Sequence, residues 1–323
     1  MMGNSLKLYK ILGIFFAVKL LVSCNTSGQS QQSGLNFISE IKGTVEVKYN
    51  GNSKYEKIYP GDTLNPSDKL RLSKNASAKV MCNNLSVWEI DSQGEFPVSK
   101  GCPSTKTPVF RKHTLTDKTR AANNSNIPYL ISPRNTAILN GKPTLSWNPV
   151  AGASYRVQIF SLGEEFNWTT EVGEATVVYS GNKPMPPGFY KVNITASNGA
   201  STKDKDDSVF FIMPDEKDIS QINAYVEELQ QKPLSNSSKI LALAHLYRSY
   251  DFKTKAIELL EELVEDGNQI TAVHQLLGSI YKQIGLNELA KERYLKAKQL
   301  AKAEGDLKAQ ENIQSELVLL GGS

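Results

Sequence analysis

Apolar residues in the C-terminal third of the chain recur every three to four positions, and the same pattern returns after about 34 residues. Small residues in both copies let two helices approach closely, while leucines and tyrosines fill the remaining space. The pattern therefore predicts two helical hairpins in tandem over residues 237–304. The matching positions are Leu243, Tyr247, Ala256, Leu260 and Leu263 in the first copy and Leu277, Tyr281, Ala290, Tyr294 and Ala297 in the second.

Two amphipathic segments flank these hairpins. Ile222, Val226 and Leu229 predict a helix over 218–231, and a second segment over 306–320 has apolar residues on one face and charges on the opposite face. Stacked helical repeats need a polar-backed helix at their end. An all-α region with a capping helix is therefore expected over 215–323.

The second copy, from His274 to Tyr281 and on through Gly285, resembles the tetratricopeptide repeat (TPR) family, with His274 in place of the family's tryptophan. The resemblance implies a concave groove lined by the first helix of each hairpin, and hence a protein or peptide partner. Arg248 and Lys282 lie one repeat apart and suit an acidic peptide. The alternative is an ordinary solvated helix face. The groove positions are Ser238, Leu241, His245, Arg248, Ala272, Gln275, Ser279 and Lys282.

Before the helices, apolar and polar residues alternate with a period of two, which predicts strands. Val45 and Val47 alternate with charged residues, and an Asn-Gly hairpin turn begins at Asn50. Short strands follow at even spacing, so 37–103 is expected to be an all-β domain. The order of its motifs along the chain, which are 41–45, the Pro-Gly-Asp turn at 60–62, 69–72 and 78–80, resembles the FecR-type β domain. The end from Cys82 to Cys102, with Trp88 between, looks like a variant found in cyanobacterial envelope proteins.

A second alternating region, 128–214, has strands separated by glycine and proline turns. Trp147 on one strand and Tyr155 on the next are placed to fill the centre of a β-sandwich. The elements around these residues and around Tyr190 resemble Ig-like or fibronectin-type modules of bacterial surface proteins. The resemblance implies a fold and no particular ligand.

The N-terminus has three lysines, no acid and an apolar run that leads to Cys24, which is the pattern of a secretory signal over 1–23. The Leu-Val-Ser before Cys24 resembles the bacterial lipobox, in which cleavage leaves a lipidated cysteine. An uncleaved anchor or an ordinary secretory signal is the alternative. Residues 24–36 are expected to be a flexible tether. Asn25 favours the outer membrane or periplasmic face of the envelope.

Cys82 and Cys102 are the two remaining cysteines. In an oxidising compartment they are expected to form a structural disulfide. A metal site is the alternative, but it needs more ligands nearby than His113 supplies.

Charge and motifs limit the function classes. Without the three lysines of the signal, the 37 basic residues fall to 34 against 33 acidic ones, so nucleic acid is not indicated as a partner. Residues 104–127 carry scattered basic residues and are expected to be a basic linker, with contact to lipid headgroups or a surface polymer as the alternative.

The sequence has no zinc-protease, nucleophile-elbow or phosphate-loop motif. We therefore expect no enzyme activity, no cofactor and no metal.

Together these features predict a multidomain, non-enzymatic scaffold of the cell envelope. The lipid on Cys24 is expected to hold it at the membrane, the two β domains to hold the repeats away from the bilayer, and the groove to bind a protein or peptide. The alternative function is binding of a cell-wall or surface polysaccharide through the second β domain. The aromatic residues expected to be exposed for this purpose are Phe166, Trp168 and Phe189.

Overall fold

A computed structural model describes most of the chain after its first 34 residues, namely residues 35–105, 108–110, 126–161, 166–202 and 209–321. The expected signal, the lipidation site Cys24 and His113 lie outside the described residues, as does most of the basic linker. The described chain has a β region followed by a helical region, as the sequence predicts. All of it belongs to one compact unit.

Alternating residues over 36–101 form two four-stranded sheets, which we call the first β module. The sheet orders are β4-β1-β6-β7 and β3-β2-β5-β8, and a short helix, α1 (Val98–Gly101), follows the last strand. Val45 and Val47 point into a buried core between the sheets. The strands are β1 Asn36–Lys42, β2 Val45–Lys48, β3 Glu56–Lys57, β4 Thr63–Leu64, β5 Lys69–Leu72, β6 Ser77–Met81, β7 Val87–Ile90 and β8 Gly94–Pro97.

The predicted disulfide is present in this module. Cys82 and Cys102 are bonded across a sequence separation of 20 residues, with their Cα atoms 5.2 Å apart. Both are fully buried in the module's core. The bond joins the residue after β6 to the residue after α1. Next to it, Trp88 packs so closely on Gly101 that a Cβ on this glycine would lie 1.8 Å from the indole ring.

The described residues between 130 and 213 form the second β module, a five-stranded sheet and a three-stranded sheet. Their orders are β10-β16-β15-β12-β13 and β14-β11-β9. Trp147 and Tyr155 meet in the core edge to face, with ring centroids 5.2 Å apart, as the sequence predicts. The strands are β9 Leu130–Ser132, β10 Thr136–Ala137, β11 Thr144–Trp147, β12 Tyr155–Ser161, β13 Asn167–Val172, β14 Thr176–Val178, β15 Gly188–Ala196 and β16 Phe210–Met213.

Six helices follow, and the four central ones form the two predicted hairpins. Asp215 and Ser235 cap the first two, each accepting a hydrogen bond from the N–H three residues on. Gly305 ends the fifth in the left-handed conformation. The helices are α2 Glu216–Gln230, α3 Asn236–Ser249, α4 Lys253–Glu265, α5 Thr271–Gln283, α6 Asn287–Glu304 and α7 Leu307–Gly321. None of the helices in the described ranges has both the length and the apolar character needed to cross a bilayer.

The close approach of α5 and α6 depends on Gly278. A Cβ at this position would lie 2.9 Å from the buried ring of Tyr294. We expect Gly278→Leu to lower the free energy of unfolding by about 2 kcal/mol, because the added side chain overpacks the interface between the helices. Urea denaturation measures this change.

Gly278→Ala is the matched control for this substitution. The gain in helix propensity of about 1 kcal/mol offsets the tight contact of one methyl group. Its stability is therefore expected to stay within about 1 kcal/mol of the parent protein. A leucine variant as stable as the alanine variant would contradict the proposed packing.

Candidate functional site: the covered face of the helical region

The face of α3 and α5 that was predicted to form a peptide groove is covered by the first β module. Leu241 is 1% exposed, and Ser238 and His245 are each 7% exposed. Strand β1 explains this covering. Four successive residues of β1 are buried, so both faces of the strand pack against other parts of the protein. Phe37 faces the helices, whereas Ile38 faces the core of its own module.

At α3 the contact combines a hydrogen bond with ring packing. The Ser238 hydroxyl donates to the carbonyl of Ser39 at 2.9 Å. The ring of His245 packs on Phe37, with centroids 4.7 Å apart and planes inclined by 33°. Burial, and then the charge of Arg248, lower the pKa of His245 to about 3. His245 is therefore a neutral packing residue at physiological pH.

At α5 the contact depends on the turn at 60–62. Gly61 has a φ of +92°, and a Cβ there would lie 2.1 Å from the Cβ of Ala272. The Gly61 N–H donates to the carbonyl of Ile38 at 2.7 Å, which fixes the turn against β1. Glycine satisfies both the left-handed conformation and the close approach to Ala272.

Polar contacts surround this apolar centre near the start of α3. The Glu40 carboxylate accepts a hydrogen bond from the Ser235 N–H and pairs with the Lys79 ammonium at 3.1 Å. Lys79 also donates to the carbonyl of Pro233. Burial raises the pKa of Glu40, but the Ser235 N–H and Lys79 outweigh it, so that the pKa is lowered overall.

At the other end of the interface, the half-buried carboxylate of Asp62 faces the start of α7. Asp62 lines a cavity of about 210 Å³ together with Asp306 and Lys308. The pKa of Asp62 is raised to about 7, mainly by burial and also by the carboxylates of Asp306 and Glu304, while the Tyr59 N–H and Lys308 oppose the rise. The Tyr59 hydroxyl donates to the Glu304 carbonyl at 2.7 Å.

The two basic residues predicted to suit an acidic peptide, Arg248 and Lys282, are not free to bind one in this structure. Arg248 donates to the Ser279 hydroxyl at 2.9 Å, and burial lowers its pKa to about 10. Lys282 pairs with Glu316 of α7 at 2.6 Å. Both sequence-based alternatives for this face therefore need correction, because it is neither an open groove nor a solvated helix surface. Ala272 contacts Gly61, and Gln275 lines the cavity beside Asp62.

The second β module contacts the opposite ends of the hairpins, through residues that the sequence reasoning missed. The guanidinium of Arg134, which is 1% exposed, donates to the carbonyl of Ile284 at 2.6 Å. The Thr136 hydroxyl donates to the carbonyl of Asp251 at 2.9 Å. Both β modules therefore pack against the helices.

The aromatic residues predicted for a polysaccharide site separate into two sets. Phe166 and Trp168 are half-buried at the edge of the sandwich core. The ring centroid of Phe166 lies 5.1 Å from that of Tyr190, and the ring centroid of Trp168 lies 5.2 Å from that of Tyr179. All three rings are half-buried, so none has the full exposure that was expected. Phe166 and Trp168 pack against the core, whereas Phe189 lies on the outer face of its sheet.

Nothing in the described residues forms a metal site of three or more histidine, cysteine or acidic side chains. The candidate site is the covered face of α3 and α5, where the hydrogen bonds, ring packing and glycine turn described above lie. Comparison of the sequence with protein-family models found no match, and no curated protein proved similar to the chain.

Proposed function

We propose that this protein is a non-enzymatic scaffold of the bacterial cell envelope, anchored by a lipid on Cys24. In this proposal a TPR-like helical array holds a FecR-like and an Ig-like module in one fixed arrangement and presents them to a partner protein. The observation that carries the proposal is the covered face, where α3 and α5 already bind a protein surface, that of the first β module.

The chemistry of the covered face supports protein binding by the helices. Its contacts are a ring pair at Phe37, a hydroxyl to main-chain bond at Ser39 and a glycine turn seated on Ala272. Buried rings and main-chain hydrogen bonds are the usual means by which one protein surface recognises another. The helical array is therefore a binding element whose first ligand is part of its own chain.

The last helix offers the free surface that an external partner needs. Leu307 is 72% exposed, and Val318 and Leu319 are each 62% exposed. A helix that only caps a stack has a polar outer face. We propose that the partner contacts this exposed face of α7, while the covered face maintains the arrangement of the modules.

The interface itself is tested by Ala272→Phe. The larger side chain meets the backbone of the Gly61 turn, so we expect the first β module to be displaced and the free energy of unfolding to fall by about 2 kcal/mol. Hydrogen–deuterium exchange is expected to become faster in β1 and α3. Ala224→Phe, at an exposed position of α2, is the control and is expected to leave the exchange of both elements unchanged.

Partner binding is tested by crosslinking and co-purification from membranes with three forms of the lipoprotein. These are the parent chain, Ala272→Phe, and the double variant Val318→Glu, Leu319→Glu. Capture by the first two and loss in the third supports binding at α7. Capture by Ala272→Phe alone places the partner on the covered face instead. Equal capture by all three refutes both sites.

A further inference from the structure

The outer face of the five-stranded sheet carries an aromatic and basic surface that the scaffold function does not use. Along β15 the side chains of Tyr190 and Val192 enter the core, so those of Phe189 and Lys191 point away from it. On β16, Phe211 enters the core and Phe210 points outward. We call the outward-facing residues Phe160, Phe189, Lys191 and Phe210 the sheet patch.

The phenylalanines of the sheet patch lie on three neighbouring strands, two of them in contact with each other and the third across Lys191. The rings of Phe189 and Phe210 are stacked, with centroids 4.5 Å apart and planes inclined by 25°. Phe160 and Phe210 each lie directly opposite Lys191 on a neighbouring strand. Among the described residues, the three rings are half-buried and belong to none of the buried core clusters. Ile212, opposite Phe189, is 37% exposed and extends the sheet patch.

Cations and amides surround the rings. Lys191 lies between two phenylalanines, and within the described parts of the chain it has no hydrogen-bond or ion-pair partner. Gln158 lies opposite Asn193 and donates to the side chain of Asn167 at 3.2 Å. The face therefore combines flat apolar rings, a free ammonium and side-chain amides within a few strand spacings of about 4.8 Å.

We infer that the sheet patch binds an acidic polysaccharide, and this inference does not depend on the helical region. The C–H-bearing face of a pyranose is apolar and packs on the electron-rich face of an aromatic ring. Its rim carries hydroxyl groups, which suit Gln158 and Asn193. A carboxylate on the sugar pairs with the ammonium of Lys191. The strand spacing is similar to the length of one sugar unit along a polymer.

Charge favours a polysaccharide over a nucleic acid as the occupant. Among the residues that the structure describes on the outer face of this sheet, one other is a cation, Arg156, which lies opposite Glu171 on β13. Nucleic-acid binding draws most of its affinity from several phosphate contacts, and two cations supply too few. A protein partner is also less suited to the surface, because the unpaired Lys191 lies at the centre of the sheet patch, where protein interfaces are depleted of lysine.

Affinity electrophoresis of the whole protein tests the inference. The probes are polygalacturonate and the same polymer with its carboxylates methyl-esterified. We expect polygalacturonate to retard the protein and the ester to retard it less. Phe210→Ala is expected to weaken retardation by polygalacturonate about tenfold, the effect of losing one stacking ring. Lys191→Gln is expected to weaken it severalfold and to leave retardation by the ester unchanged.

Two controls keep the result specific to the sheet patch. Lys217→Gln changes an exposed lysine of α2 and is expected to bind both polymers like the parent protein. Thermal unfolding of each variant confirms that its fold is retained. The inference is overturned if polygalacturonate causes no retardation, if Phe210→Ala and Lys191→Gln bind it as well as the parent does, or if a single-stranded oligonucleotide displaces it at equal concentration.

Discussion

Replacing both Cys82 and Cys102 by alanine is expected to lower the free energy of unfolding by about 3 kcal/mol. The disulfide closes a loop with a sequence separation of 20 residues, and most of its effect comes from restricting the unfolded chain. Both sulfurs lie in a fully buried core, so alanines also leave a small cavity there. Guanidinium denaturation of the parent and the double variant measures the difference.

Chemical reduction of the parent protein is the matched control for the alanine pair. Dithiothreitol removes the bond without removing the sulfur atoms, so the reduced parent is expected to lose most of the same stability. Trp88 packs on Gly101, the residue before Cys102, and its fluorescence reports on this corner directly. A double variant as stable as the oxidised parent would show that the bond does not restrict the unfolded chain.

The helical region was the most predictable part of the fold. The hairpins could be predicted because the 34-residue repeat places both the small residues and the large residues of each helix pair, as it does for Gly278 and Tyr294, which are in contact. The disulfide and the Trp147–Tyr155 core contact were predictable for a similar reason, since each depends on few residues with strong chemical preferences. Local patterns of this kind are present in the sequence itself.

The covering of α3 and α5 was not predictable from such patterns. It depends on residues far apart in sequence, such as Gly61 with Ala272 and Ser39 with Ser238. One signal was nevertheless present. The expected groove positions include Leu241 and Ala272, which are apolar, and Phe37 and Ile38 form adjacent apolar positions that a strand with one solvated face does not have. These two features together indicate a strand packed between two layers.

The outer face of the second β module shows a different limit. The alternation of apolar and polar residues predicted strands in this module. It did not determine whether a given aromatic side chain points into the core or outward. Trp168 was expected to be exposed and instead packs on Tyr179, whereas Phe189 points outward and stacks on Phe210. The direction follows from the pairing register of β12, β15 and β16, which involves contacts between distant segments.

The second prediction with a large expected effect concerns Asp62, and it gives the interface a pH dependence. The folded-state pKa of Asp62 is about 7, against an ordinary value of 3.8. The folded protein therefore binds a proton on Asp62 more tightly than the unfolded chain does. This contribution to stability is fully present below about pH 4 and is lost as the pH rises through 7. The full shift corresponds to at most about 4 kcal/mol.

Asp62→Asn is expected to remove this pH dependence. The amide oxygen of asparagine still accepts the hydrogen bond that the Tyr59 N–H makes at 2.9 Å, but it carries no charge towards Asp306 and Glu304. The variant is therefore expected to be more stable than the parent at pH 8 and about equal to it at pH 4. Thermal unfolding between these two values, compared for the two proteins, gives the contribution of this one side chain.

Two further variants test whether the pH dependence of stability comes from Asp62 or from a general effect of charge. Asp306→Asn keeps a side chain that can cap α7 as Asp306 does through the Ala309 N–H. It removes the carboxylate whose charge raises the pKa of Asp62 the most. It is expected to lower the pKa of Asp62 and to reduce the slope of stability with pH. Asp91→Asn, at an exposed position, is expected to leave the slope unchanged. If Asp62→Asn keeps the slope of the parent, the pH dependence arises elsewhere, and the carboxylate of Asp62 does not control the contact between the first β module and α7.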